Sequence, residues 1–155
     1  MAPAEQRLVL PPHISKFLFR SSVLSVASVL GAAYNERFDC MGCASLVMLT
    51  SLNYWRHPVL GLRRNLDITA AVSSLGYQVV FVAPEAPEGA CFAYYGTVAA
   101  GIGCYGGARY FTFGPGGDKA KRIGTMWHVG LHLWGNVGNL LLYDAVGQNN
   151  MEWSR

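Results

Sequence analysis

His128 and His132 stand one helical turn apart in an apolar stretch, so on an α-helix both imidazoles share one face. Two histidines at i, i+4 are half of a zinc site; the same pair can also serve as polar groups that bond across to neighbouring helices. Asn136 and Asn139 follow on the same stretch. Asp67 opens an earlier apolar stretch, and Ser51, Asn53 and Tyr54 close the one before that. If these stretches are helices of one bundle, a hydroxyl, a carboxylate and two imidazoles meet at similar depth. Such a set can hold a metal through His128, His132 and Asp67, with Ser51, Asn53 and Tyr54 as its polar surroundings, or carry acid–base chemistry. The competing reading for Asp67 is a simple ion pair with Arg63 or Arg64, one turn away. Cys40-Met41-Gly42-Cys43 is a single Cys-x-x-Cys, again half of a metal site. Cys40 or Cys43 could form a disulfide with Cys91 in an oxidising compartment; the alternative is that all are reduced, small packing side chains.

Composition indicates what must position these groups. Of 155 residues 14% are charged and 52% hydrophobic, and the mean hydropathy is +0.23, against about a quarter charged in average soluble domains. Disordered chains, coiled coils and collagen-like repeats are excluded. A net charge of +3 does not imply a polyanionic partner, so nucleic acid is not expected. Five apolar stretches approach the length that crosses a hydrocarbon core: residues 16–34, 40–55, 65–83, 91–113 and 123–143. Their connectors carry the breakers, as in Arg56-His57-Pro58 and Gly114-Pro115-Gly116-Gly117. The expectation is an all-α polytopic transmembrane bundle of about five helices. A four-span version, with the short second stretch in a re-entrant hairpin, is the alternative.

Charge sorting orients it. Alternating spans put Arg7, Lys16, Arg20, Arg56, Arg63, Arg64, Lys119, Lys121 and Arg122 on one side, and only Arg37 and Arg155 on the other. Nine cations against two predicts the N-terminus inside and the C-terminus outside. Residues 1–15, with Pro3, Pro11 and Pro12, read as an extended arm along the inner surface, 16–144 as the helical domain and 145–155 as a short tail. Neither a signal peptide nor an amphipathic transit peptide is expected. Gly103-x-x-x-Gly107 fits the motif that lets helix backbones approach, and Arg109 on the same stretch needs a partner or a route to headgroups.

Ser51-Leu52-Asn53-Tyr54, then Asp67, then His128-Val129-Gly130-Leu131-His132 resemble, in order, the motifs of the membrane-hydrolase superfamily of alkaline ceramidases and progestin/adipoQ receptors. The resemblance implies zinc held by His128 and His132, water activated beside Asp67, Ser51 supporting the site, and a lipid amide as substrate. Two departures stand against it. Trp55 occupies the position of a zinc-binding histidine, leaving His57 as the nearest replacement, and there are about five helices where the family has seven.

No phosphate-binding glycine loop and no separate soluble domain are present in the sequence. The leading expectation is therefore a non-catalytic accessory or structural subunit of a larger membrane complex. A respiratory or photosynthetic assembly of an organellar inner membrane is the setting, with mitochondrial electron transport ahead of the thylakoid. It would contact other membrane subunits and bound lipids, need no cofactor of its own and not exist as an isolated monomer. The alternative is a zinc-dependent, ceramidase-like membrane hydrolase; a lipid or quinone site without catalysis is a third.

Overall fold

The computed structural model describes the backbone of residues 8–153 and the side chains of residues 8–148. Pro3 and Arg7 of the arm, and Ser154 and Arg155 of the tail, lie outside the described residues. All described elements are helical: α1 (Pro12–Ser22), α2 (Ser25–Tyr34), α3 (Phe38–Trp55), α4 (Leu62–Tyr77), α5 (Glu88–Phe113) and α6 (Gly117–Trp153). They make five rods, because α1 and α2 are one rod bent at Val23-Leu24. The bend has a local cause. Ser21 and Ser22 donate to the Leu18 carbonyl at 3.1 and 2.9 Å, and residues 23, 24, 26 and 27 bond three residues back instead of four. Beyond α4 the rod loosens into a π-turn (Gln78–Val82) and a 3₁₀ turn (Ala83–Glu85), and Pro84 ends it.

Sequence-based boundaries differ mainly at the two ends. The first helix begins at Pro12, where proline fits the first turn because its missing N–H would be unpaired there anyway. Part of the segment expected as an extended arm is therefore helical. Leu8 and Val9 remain extended and pair with the α3–α4 connector, Val9 N–H donating to the Pro58 carbonyl at 2.8 Å. At the other end α6 continues to Trp153, through residues expected as a tail.

The α2–α3 turn shows how a connector is held. Arg37 N–H bonds the Ala32 carbonyl at 2.9 Å and Glu36 N–H bonds Ala33 at 3.1 Å, the helix-ending pattern that needs a left-handed residue. Glu36 takes it, at φ 56°. Arg37 then grips Asp39 with two bonds, of 3.1 and 2.9 Å, and reaches Glu85 at 2.6 Å, while the Tyr77 hydroxyl donates to Asp39 at 2.7 Å. This clamp ties the α2–α3 turn to the far end of the α4 rod. The hydrogen bond from Arg37 holds the Asp39 carboxyl well below the usual carboxylate range, against the opposing effect of burial.

The long antiparallel pair α5–α6 is the spine of the bundle; α3 packs between α2 and α4, and α1 and α2 lie on α6. The spine is tight because small residues face bulk or backbone: a Cβ on Gly107 would meet the Trp127 ring, one on Gly124 the Ala108 carbonyl, and one on Gly138 the Thr97 side chain. Gly103 does not belong to this seam. It is exposed, with nothing within 4 Å of where its Cβ would stand. The expected Gly103/Gly107 pair is thus split, because helical spacing puts 103 and 107 on neighbouring but distinct strips, and only the strip through Gly101, Cys104, Gly107 and Ala108 faces α6.

Polarity is distributed unusually. Buried among the described residues are Ser21, Ser28, Ser51, Gln78, Thr97, Thr125 and Asn136, whereas Phe17, Leu30, Leu49, Val72, Phe92, Ile102 and Leu133 are exposed. Two helical rods, Pro12–Tyr34 and Leu62–Glu85, are long and apolar enough to cross a membrane.

Candidate functional site

The last turns of α3 and the first turns of α4 run side by side because a short connector through Pro58 and Gly61 folds the chain back. Gly61, at φ 133°, takes a backbone conformation that L-residues with a Cβ resist. This turn brings Ser51 of α3 against Asp67 of α4. The Ser51 hydroxyl donates to Asp67 Oδ1 at 2.5 Å. The ion pair that the sequence offered is not made: among the described residues neither Arg63 nor Arg64 lies within 4.0 Å of the Asp67 carboxylate. Asn53, half-buried on α3, makes no hydrogen bond to the pair.

Asp67 and His128 line one cavity of about 70 Å³, together with Tyr54, Trp55, Arg64 and Arg109. The long α6 delivers His128 to it, opposite the end of α3. The Tyr54 and Trp55 rings touch at a 52° tilt with centroids 4.5 Å apart, and Trp55 meets His128 edge-on at 5.1 Å. His128 and His132 are themselves edge-on, at 5.0 Å and 85°. His132 lies one turn deeper, does not line the cavity, and shares a 2.8 Å hydrogen bond between its Nδ1 and Ser21 Oγ.

The resemblance implies zinc, and the residues present can be tested against it. A catalytic zinc takes three protein ligands and leaves a position for water. Trp55 stands where the third donor belongs, and an indole has an N–H to donate and no lone pair for a metal. His57 is exposed beyond the helix end and does not line the cavity. Among the described residues no three His, Cys, Asp or Glu side chains are grouped to hold a metal ion. The donor set therefore does not fit a zinc centre. The Cys-x-x-Cys fares similarly: Cys40, Cys43, Cys91 and Cys104 are all free thiols, with Cys40 fully buried in an apolar cluster against which Cys91 packs.

The histidines instead belong to a polar stripe along α6: Thr125, His128, His132, Asn136, Asn139 and Tyr143, spaced by three or four residues and so on one face. Asn136 accepts from Ser28 at 2.6 Å and donates to the His132 carbonyl at 2.7 Å, and Asn139 donates to Ser28 at 3.1 Å. Farther along, Gln78 donates to the Tyr143 hydroxyl and accepts from Tyr94, both at 3.2 Å. Ser21, Ser28 and Gln78 carry this network and escaped the sequence reading. Their signal was available, since Ser21, Ser25 and Ser28 recur at helical spacing in an apolar stretch and Gln78 interrupts another.

Compared with known proteins, the chain matches no family model, no curated protein and no solved structure.

Proposed function

We propose that the chain is a polytopic membrane bundle that serves as a non-catalytic accessory subunit of a larger membrane assembly, its N-terminus on the cation-rich side. Two features support the membrane setting. Polar side chains inside the bundle hydrogen-bond one another while large apolar ones cover the outside, the reverse of what water selects and what hydrocarbon permits. The rods also have short connectors, and none of the described segments forms an extramembrane domain.

The observation that carries the subunit reading is the outer face of α5. Gly89, Gly96 and Gly103 recur every seven residues, with Gly106 beside them; all are exposed, and a Cβ on any of them would meet nothing within 4 Å. Inside hydrocarbon, small residues on one strip of a helix allow a second helix to approach closely, and that contact replaces lipid without a hydrophobic driving force. Glycine inside a helix costs up to ~1 kcal/mol relative to alanine, so Gly96, Gly103 and Gly106, exposed in the interior of α5, are a cost that a neighbouring helix explains. The chemistry around the cavity supports the same reading, since Asp67 in its wall is engaged by Ser51, His132 behind it by Ser21, and the third ligand position is Trp55. An organellar inner membrane, mitochondrial and respiratory, is the proposed setting.

Mild-detergent purification of the tagged chain from its own membranes tests this, with mass spectrometry and metal analysis on the same peak. The expected result is a large species with a fixed set of other polypeptides, lost on Gly96→Leu or Gly103→Leu although the bundle still folds. A small species carrying one zinc per chain, abolished by His128→Ala, would replace this reading with the hydrolase.

A further inference from the structure

We infer that the cavity between Tyr54, Trp55, Arg64 and Arg109 is a binding site for the headgroup phosphate of an anionic phospholipid. Trp55 is 6% exposed, and its indole nitrogen is the one buried side-chain N or O among the described residues that has no hydrogen-bond partner. A buried donor left unpaired costs about 1–3 kcal/mol. Trp55 lines the cavity, and an acceptor bound there would supply the partner its N–H lacks.

The cations on the same wall specify the acceptor's charge. Arg64 and Arg109 both line the cavity and act electrostatically on the Tyr54 phenol. Neither forms a salt bridge among the described residues; Arg109 lies over the Phe113 ring at 4.5 Å. Asp67 is the one acidic side chain in the lining, and its Oδ1 is taken by Ser51. Two guanidiniums against one carboxylate leave the wall net cationic, with an N–H to spare.

The fold supplies the reason for a lipid. α4 packs on α3 and α5 on α6, while α4 and α5 approach each other closely only near Ala83–Glu85, at the opposite end. The cavity therefore sits in a lateral crevice between α4 and α5. Tyr105 and Phe113, which line it, are themselves exposed, and Ile68, Leu10 and Leu18 add apolar surface to its wall. Acyl chains would lie against these exposed apolar side chains, and basic pockets between helices on the cationic side are where anionic headgroups bind. This inference rests on the membrane reading above.

The test uses the full chain in detergent, with native mass spectrometry and thermal unfolding during titration with phosphatidylglycerol, phosphatidylcholine or inorganic phosphate. Phosphatidylglycerol should bind and raise the melting temperature, with phosphatidylcholine and inorganic phosphate weaker. Trp55→Phe keeps the ring and removes the N–H, and should weaken phosphatidylglycerol about tenfold, the effect of one hydrogen bond to a charged group. Arg109→Gln, at an exposed side chain, should weaken it at least as much, and it gives the answer even if Trp55→Phe fails to fold. Equal binding of both lipids, unchanged binding in Arg109→Gln, or protection by inorganic phosphate without phosphatidylglycerol would overturn the site. Release of the chain from membranes by alkaline carbonate would instead overturn the membrane reading.

Discussion

Replacing Gly124 by alanine puts a methyl group where the facing helix already stands. Its Cβ would lie 2.5 Å from Thr112 Oγ1 and 3.0 Å from both the Ala108 carbonyl oxygen and the Thr112 amide nitrogen. The threonine hydroxyl can rotate away, but the two backbone atoms cannot, so α5 and α6 must separate there. Overpacking of this kind costs ~1–3 kcal/mol. Alanine's better helix propensity returns up to ~1 kcal/mol, leaving a net loss of ~0–2 kcal/mol. Gly103→Ala is the internal control: nothing lies within 4 Å of the new atom, so only the propensity gain applies. The propensity gain is common to both, so the two single-methyl variants should differ by the overpacking cost, ~1–3 kcal/mol, in the purified, isolated chain. Thermal or SDS-induced unfolding in mild detergent, followed by far-UV circular dichroism, measures this. If Gly103→Ala were the damaged variant and Gly124→Ala matched the parent chain, the α5–α6 register would be wrong and the Gly103-x-x-x-Gly107 strip would face inward.

Other outcomes follow from the clamp beside α2. Glu36→Gly should stabilise the bundle by up to ~1 kcal/mol, because glycine holds φ 56° without the Cβ penalty; a lower unfolding midpoint would show that the Glu36 side chain makes a contact that matters more. Asp39 sets a pH dependence whose sign is determined. Its carboxyl is depressed in the folded chain, so the clamp contributes stability above the ordinary value of 3.8 and loses it as pH falls from there toward the lower folded value. Much of the carboxylate is solvent-accessible, so the loss should stay below ~1 kcal/mol and vanish in Asp39→Asn, read as unfolding midpoint between pH 5 and pH 2.5.

Helix number and their approximate limits were legible because they depend on local quantities: runs of apolar residues, and the breakers Pro58, Pro84 and Gly114-Pro115 between them. The convergence of Asp67 and His128 was legible for a similar reason, since short connectors force successive helices to lie antiparallel and so set depth. What local pattern could not supply was rotation about each helix axis and the choice among nearby partners. Asp67 had Arg64 one turn away on its own helix, yet Ser51 on α3 holds it, because the reversal at Gly61 aims that face at α3 and leaves the guanidinium for the Tyr54 side of the cavity. Gly103 and Gly107 are equal in a spacing motif, but the packing of α6 against Cys104 and Ala108 admits only Gly107 to the seam. His132 looked like a ligand beside His128 until the bend at Ser21-Ser22 carried a hydroxyl to its Nδ1. Sequence alone determined which side chains exist at each depth; tertiary packing decided their partners, because a turn of one residue about a helix axis, roughly 100°, exchanges a buried face for an exposed one.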